Sequence, residues 1–121
     1  MAERFGAAEA LADGWKVEDG HLNLKPLFAA LADEKHIERG AAVFHATLVE
    51  ALTEWLCSIA PGNATVAAAG GCLQNQVLAR GLRARLGDNG LHLIEARRVP
   101  SNDGGLALGQ AWIAQQYLMT E

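Results

Sequence analysis

The sequence predicts an α/β fold: a small parallel sheet with flanking helices, preceded by an N-terminal β-hairpin. Three features carry that expectation. Apolar residues recur at intervals of three and four from Ile37 to Ile59, and beyond that stretch two short apolar runs alternate with two further helical patterns. Near the start, Asp19-Gly20 separates two runs of alternating polarity. Helices and strands differ in period, about 3.6 against 2 residues, so such windows separate the two.

The elements follow in order. Residues 2–12 place Phe5, Ala8, Leu11 and Ala12 at helical spacing, which predicts a short helix. From Gly14 to Leu24 the pattern alternates, with Trp15 and Val17 before the turn and Leu22 and Leu24 after it. Asp-Gly accepts the positive φ of a tight hairpin turn, so a hairpin is expected there. Pro26 suits a first helical turn, where its missing N–H costs nothing, and a helix should follow over Leu27 to Ala32. In the long pattern, Ile37, Ala41, Phe44, Leu48, Leu52, Trp55 and Ile59 form one apolar stripe, stopped by Pro61-Gly62.

Ala64 to Ala69 is short, apolar and bounded by Gly62-Asn63 and Gly70-Gly71, which reads as a buried strand despite the helical preference of alanine. Leu78, Leu82 and Leu86 predict a helix ending at Gly87-Asp88-Asn89-Gly90, and Leu91 to Glu95 a second strand. Leu106, Ile113 and Tyr117, flanked by Ala107, Ala111 and Ala114, predict a terminal helix. Residues 1–36 thus form a hairpin-containing insertion and residues 37–121 an α-β-α-β-α core. A crossover of this length implies parallel strands and a right-handed connection.

At 121 residues the chain fits one domain, with half its residues apolar and a fifth charged. Ten basic against fourteen acidic residues give a net charge of -4. No basic stripe for nucleic acid is visible. Arg80, Arg83 and Arg85 lie on one predicted helix and read as a solvated face. Cys57 and Cys72 are far apart and form no CxxC pair, which argues against a disulfide framework and excludes a zinc ribbon. No apolar run approaches ~20 residues and no basic segment precedes an apolar one at the start, so neither a membrane span nor secretion is expected. A cytoplasmic location is the default.

Two clusters could carry chemistry. Gly70-Gly71-Cys72-Leu73-Gln74-Asn75 joins a predicted strand to a predicted helix. Paired glycines let a ligand approach the backbone there, and a helix start offers unpaired N–H groups. A tight turn without a ligand explains the pair equally well. Pro100-Ser101-Asn102-Asp103-Gly104-Gly105 again follows a strand and opens a helix. Ser101, Asn102 and Asp103 all suit an N-cap, and the two glycines suggest close approach of a phosphate, a metal or another backbone. Both clusters belong at the carboxyl ends of parallel strands, where open α/β sheets bind ligands. One crevice suited to a nucleotide and its metal is expected.

These two runs, the second continuing Leu106-Ala107-Leu108-Gly109-Gln110-Ala111, resemble the C-terminal signature of HypF-type hydrogenase-maturation carbamoyltransferases. Phe44-His45 and the Asp-Gly-x-Leu-x-Leu-x-Pro-Leu pattern at 19–27 resemble the same family. The lobe is similar, more remotely, to the transferases that make threonylcarbamoyladenosine in tRNA. The resemblance implies part of an actin-like ATPase (ribonuclease H-like) lobe. Gly70, Gly71 and Asn75 would then contact phosphates and adenosine, and Asp103 would bind a divalent metal. It further implies ATP-dependent activation of carbamoyl phosphate to carbamoyl-adenylate. The carbamoyl group would pass to the C-terminal cysteine of a HypE-type acceptor protein, on the way to hydrogenase cyanide ligands.

The family's metal site also takes two histidines from an HxxxH motif, which this sequence lacks. His21, His36, His45 and His92 read as surface or capping residues, and Cys72 as filler rather than nucleophile. The chain alone is therefore expected to be inactive. A kinase-like lobe and a non-catalytic nucleotide-binding or assembly module are the rivals. Strands that would precede residue 1 in the family's lobe leave an open edge, so the chain is expected to form a two-fold homodimer through that side.

Overall fold

The computed structural model describes residues 9–120. Strands β1 (Lys16–Glu18) and β2 (His21–Asn23) pair antiparallel. Asp19 and Gly20 sit between them at φ 50° and 76°, the left-handed pair that a two-residue hairpin needs. Helix α1 (Lys25–Ala32) follows with Pro26 in its first turn, and α2 spans Ile37–Ile59. Ala60 is already extended, as the residue before a proline must be to avoid its ring. The predicted helix at 2–12 falls mostly outside the described residues, and residues 9–12 are not helical. They pass over α2 instead, where the Leu11 N–H donates to Thr47 Oγ1 at 2.9 Å.

Strand β3 (Thr65–Ala68) and β4 (His92–Glu95) pair in parallel, with Thr65 opposite His92 and Ala68 opposite Glu95. Helix α3 (Gln76–Asp88) forms the crossover between them, and α4 (Leu106–Met119) ends the chain. Leu78, Leu82 and Leu86 of α3 pack with Val49 of α2 and Leu91 and Leu93 beside and on β4. Val66 and Ala68 close the cluster from β3.

The long stripe on α2 is only half-buried, and its ends are open: Ile37 is 89% and Ile59 50% exposed. The buried residues are Ala42, Thr47, Val49, Ala51 and Thr53, small side chains on the flanks where neighbours come closest. The hairpin is held on this helix by two indoles. Trp15 Nε1 donates to Glu54 at 2.9 Å, and Trp55 Nε1 to the Gly20 carbonyl at 2.8 Å. By length and composition α2 could cross a membrane. It packs here against α3 and the hairpin, with Glu50 paired to Arg85 and Thr53 buried.

Between α1 and α2 the His36 N–H donates to the Glu34 carboxylate at 2.9 Å. That bond, assisted by Arg39, holds Glu34 below the usual carboxylate range.

The expected burial of β3 is corrected by the structure. Among the described residues only one face of the sheet is covered, and Thr65, Ala67, His92 and Ile94 stand exposed on the other. Parallel sheets are normally covered on both faces. Among the described residues helix α4 is likewise open. It buries none of its side chains, and Trp112 is 63% and Tyr117 75% exposed.

Candidate functional site

The two glycine-rich turns meet. The Gly70 N–H donates to the Ser101 carbonyl at 2.5 Å, which fastens the turn after β3 to the turn after β4 at the carboxyl end of the sheet. Gly70 has φ 110° and ψ 159°, a conformation essentially limited to glycine. Gly71 opens the one-turn 3-10 segment Gly71–Gln74, which Leu73 anchors in the core. A Cβ built on either glycine would meet nothing within 4 Å, so this backbone faces open space that a ligand could enter.

The second pair of glycines has a different cause. A Cβ on Gly105 would lie 2.5 Å from the Pro100 carbonyl oxygen. The close neighbour expected from the sequence is thus the chain's own backbone at this position. Asn102, rather than Asp103, caps the 3-10 turn Asp103–Gly105, its side-chain oxygen accepting from the Gly104 N–H at 3.0 Å. Asp103 is exposed, and its side chain makes no hydrogen bond or ion pair among the described residues. Its carboxylate is available to a cation. No group of three or more metal-binding side chains gathers around it or elsewhere among the described residues, so this segment offers a metal one ligand rather than a complete shell.

Asn75 caps α3, its Oδ1 accepting from Val77 N at 3.0 Å and Leu78 N at 3.3 Å. Its Nδ2 lies 2.7 Å from His45 Nε2, and His45 Nδ1 lies 2.8 Å from the Ala41 carbonyl. From the sequence His45 reads as a surface or capping residue, or as a polar group beside the α2 stripe; in the structure it is half-buried and bonded to Asn75. The only local signal was its place in Phe44-His45, since the link to Asn75 spans 30 residues.

Cys72 is exposed rather than a core filler, as is Cys57. The basic stretch on α3 is partly spent internally. Arg83 pairs with Glu95, and Arg85 grips Glu50 through two nitrogens at 2.6 and 2.8 Å. The Glu50 carboxylate accordingly raises the Arg85 guanidinium above its ordinary value. A cleft of about 480 Å³ runs along β4, lined by Gln76, Arg83, His92, Ile94 and Glu95 among others. Gly70 and Asp103 are not among its lining residues.

Parallel strands that feed two linked glycine-rich turns define the class, an α/β unit with a candidate ligand site at its carboxyl edge. The chain belongs to the HypF carbamoyltransferase family: the family model described as "Carbamoyltransferase, Kae1-like Domain, second subdomain" matches residues 2–110. Carbamoyltransferase HypF2 of Cupriavidus necator is 49% identical over 112 residues, covering 90% of this chain and 14% of that relative. Carbamoyltransferase HypF of Rhizobium leguminosarum bv. viciae is 41% identical over 119 residues, covering 95% of this chain and 16% of the relative. The chain therefore spans only a small part of the length of these relatives. No solved structure matches it.

Proposed function

We propose that this chain supplies one wall of the nucleotide and metal site of a HypF-type carbamoyltransferase. The observation that carries the reading is the hydrogen bond from Gly70 N to Ser101 O, which sets an open glycine backbone beside the turn that holds Asp103. Gly70 and Gly71 would receive the phosphates of ATP or carbamoyl-adenylate on their backbone, Asn75 would contact the nucleotide through its amide, and Asp103 would give one ligand to a divalent metal. The metal would offset charge on the phosphates. The wider lobe in this reading is of the actin-like ATPase type.

The complete enzyme would draw on carbamoyl phosphate and ATP in the cytoplasm. It would deliver the carbamoyl group to the C-terminal cysteine of a HypE-type acceptor, serving nickel–iron hydrogenase maturation. Supporting this are the family membership and the high identity to two named carbamoyltransferases. Alone, the chain would lack most metal ligands and be inactive. It would also self-associate, most simply as a two-fold dimer, because one sheet face and all of α4 are open.

The test is a graft. This chain, replacing the matching segment of the C. necator relative, should sustain carbamoyl-phosphate-dependent ATP cleavage. Asp103→Ala in the graft should lower turnover by more than about 100-fold, since loss of a metal ligand removes both charge and geometry. Unchanged turnover would refute the metal assignment. Sedimentation of the ungrafted chain at micromolar concentration tests the dimer, and a stable monomer would refute it.

A further inference from the structure

We propose that His45 is a positioning residue for this nucleotide wall, acting through Asn75; the proposal rests on the nucleotide-binding reading above. One chain of hydrogen bonds, whose ends have no freedom, sets the arrangement. The Ala41 carbonyl can only accept, so His45 Nδ1 carries the proton and donates to it at 2.8 Å. In the neutral ring Nε2 is then an acceptor. At the other end, the N–H groups of Val77 and Leu78 can only donate, so the oxygen of Asn75 faces α3. The 2.7 Å contact in the middle must therefore be Asn75 Nδ2–H donating to His45 Nε2. Both the tautomer and the amide orientation follow from backbone groups at the two ends.

This assignment restricts what Asn75 can do for a ligand. Its oxygen is committed to the helix start and one N–H to His45, which leaves the second N–H of an exposed side chain. Asn75 is thus fitted to donate, as phosphate and ring-nitrogen acceptors require. If the amide flipped, the cap would lose its oxygen and His45 would face an oxygen with no proton to share. His45 opposes that flip. It also ties the turn to firm structure, because α2 is fixed by the hairpin indoles on one side and by the packing of Val49 against α3 on the other. Leu73 and the Asn75–His45 bond are two anchors of the Gly71–Gln74 turn, one apolar and one polar.

The experiment uses the isotope-labelled chain and ATP with magnesium, followed by NMR at the Gly70 and Gly71 amides. His45→Ala should leave the thermal unfolding midpoint close to that of the unmodified chain, because the bond is exposed. ATP binding should weaken about three- to tenfold, the range expected for one lost hydrogen bond. His45→Gln, whose side-chain oxygen can accept from Asn75, should restore binding. In the unmodified chain, the ring nitrogen shifts should report a proton on Nδ1. Equal ATP affinity in His45→Ala and the unmodified chain would overturn the proposal, as would failure of His45→Gln to recover it or a proton on Nε2. If ATP moves neither glycine amide even in the unmodified chain, the nucleotide reading itself falls and takes this inference with it.

Discussion

Helices α3 and α4 enter the fold in the same way and end up in opposite circumstances. Each follows a parallel strand and a glycine-rich 3-10 turn, and each of those turns has an asparagine at its edge capping backbone N–H groups. Yet α3 buries Leu78, Ala79, Leu82 and Leu86, whereas α4 buries no residue at all. The difference lies in their surfaces. α3 has an apolar side for α2 and the sheet and a polar side carrying arginines. α4 reads LALGQAWIAQQYLM, with no charged residue and apolar groups on every side. A helix that is apolar all round is suited to burial on several sides. The uncovered sheet face and this helix thus both lack cover among the described residues.

The largest effect expected from this contrast concerns core leucines. Leu86 is fully buried, and Leu86→Ala should cost about 2–5 kcal/mol by cavity formation. Ile113, 58% exposed, should cost less than about 0.5 kcal/mol as Ile113→Ala in the chain by itself. Chemical denaturation of both variants checks this. A large loss for Ile113→Ala would break the contrast, because it would mean that α4 is covered in solution by its own sheet or by a second copy.

The glycine turns should differ in what they lose. Gly70→Ala forces an alanine to φ 110°, a strain of about 1–3 kcal/mol on a turn anchored in the core, so thermal stability and any nucleotide response should fall together. Gly105→Ala would push the Pro100 carbonyl, 2.5 Å from the new Cβ, and displace the Asp103 turn. Since α4, which that turn carries, buries no side chain, the metal response should suffer while the unfolding midpoint stays nearly fixed. Equal midpoint losses would show that the two turns unfold as one unit.

The legibility of these elements from sequence has a physical pattern. The limits of α2 were readable because Pro61 ends it and its apolar period is long. The hairpin was readable because Asp19-Gly20 is one of few pairs that accept two positive φ values. Which side of α2 is buried was not readable. A stripe of large residues attracts attention, but close helix packing selects small ones, and Ala42, Thr47 and Ala51 are buried where Phe44 and Leu48 are half-covered. The two glycine clusters were recognisable as turns at one end of the sheet, yet their causes differ. Open space at Gly71 and backbone contact at Gly105 depend on neighbours that no local pattern encodes. The Asn75–His45 link was hidden for the same reason. For α4 the helix itself was readable from Leu106, Ile113 and Tyr117, and the missing charges mark it as suited to burial on several sides.

The smallest effect separates the two caps. Asn75→Ala removes an acceptor that serves Val77 and Leu78, and such a loss typically costs about 1 kcal/mol. Because α3 is part of the core, that cost should appear in global unfolding. Asn102→Ala removes an acceptor that serves Gly104, and the local cost should be of similar size. Its unit, however, has no buried side chain to transmit the change. The prediction is therefore a lowered unfolding midpoint for Asn75→Ala and an unchanged one for Asn102→Ala, with faster amide exchange confined to the start of α4 in the second variant. Matching midpoint shifts would mean that α4 unfolds with the core. The contrast between the helices would then describe exposure alone, without any difference in how strongly each is coupled to the fold.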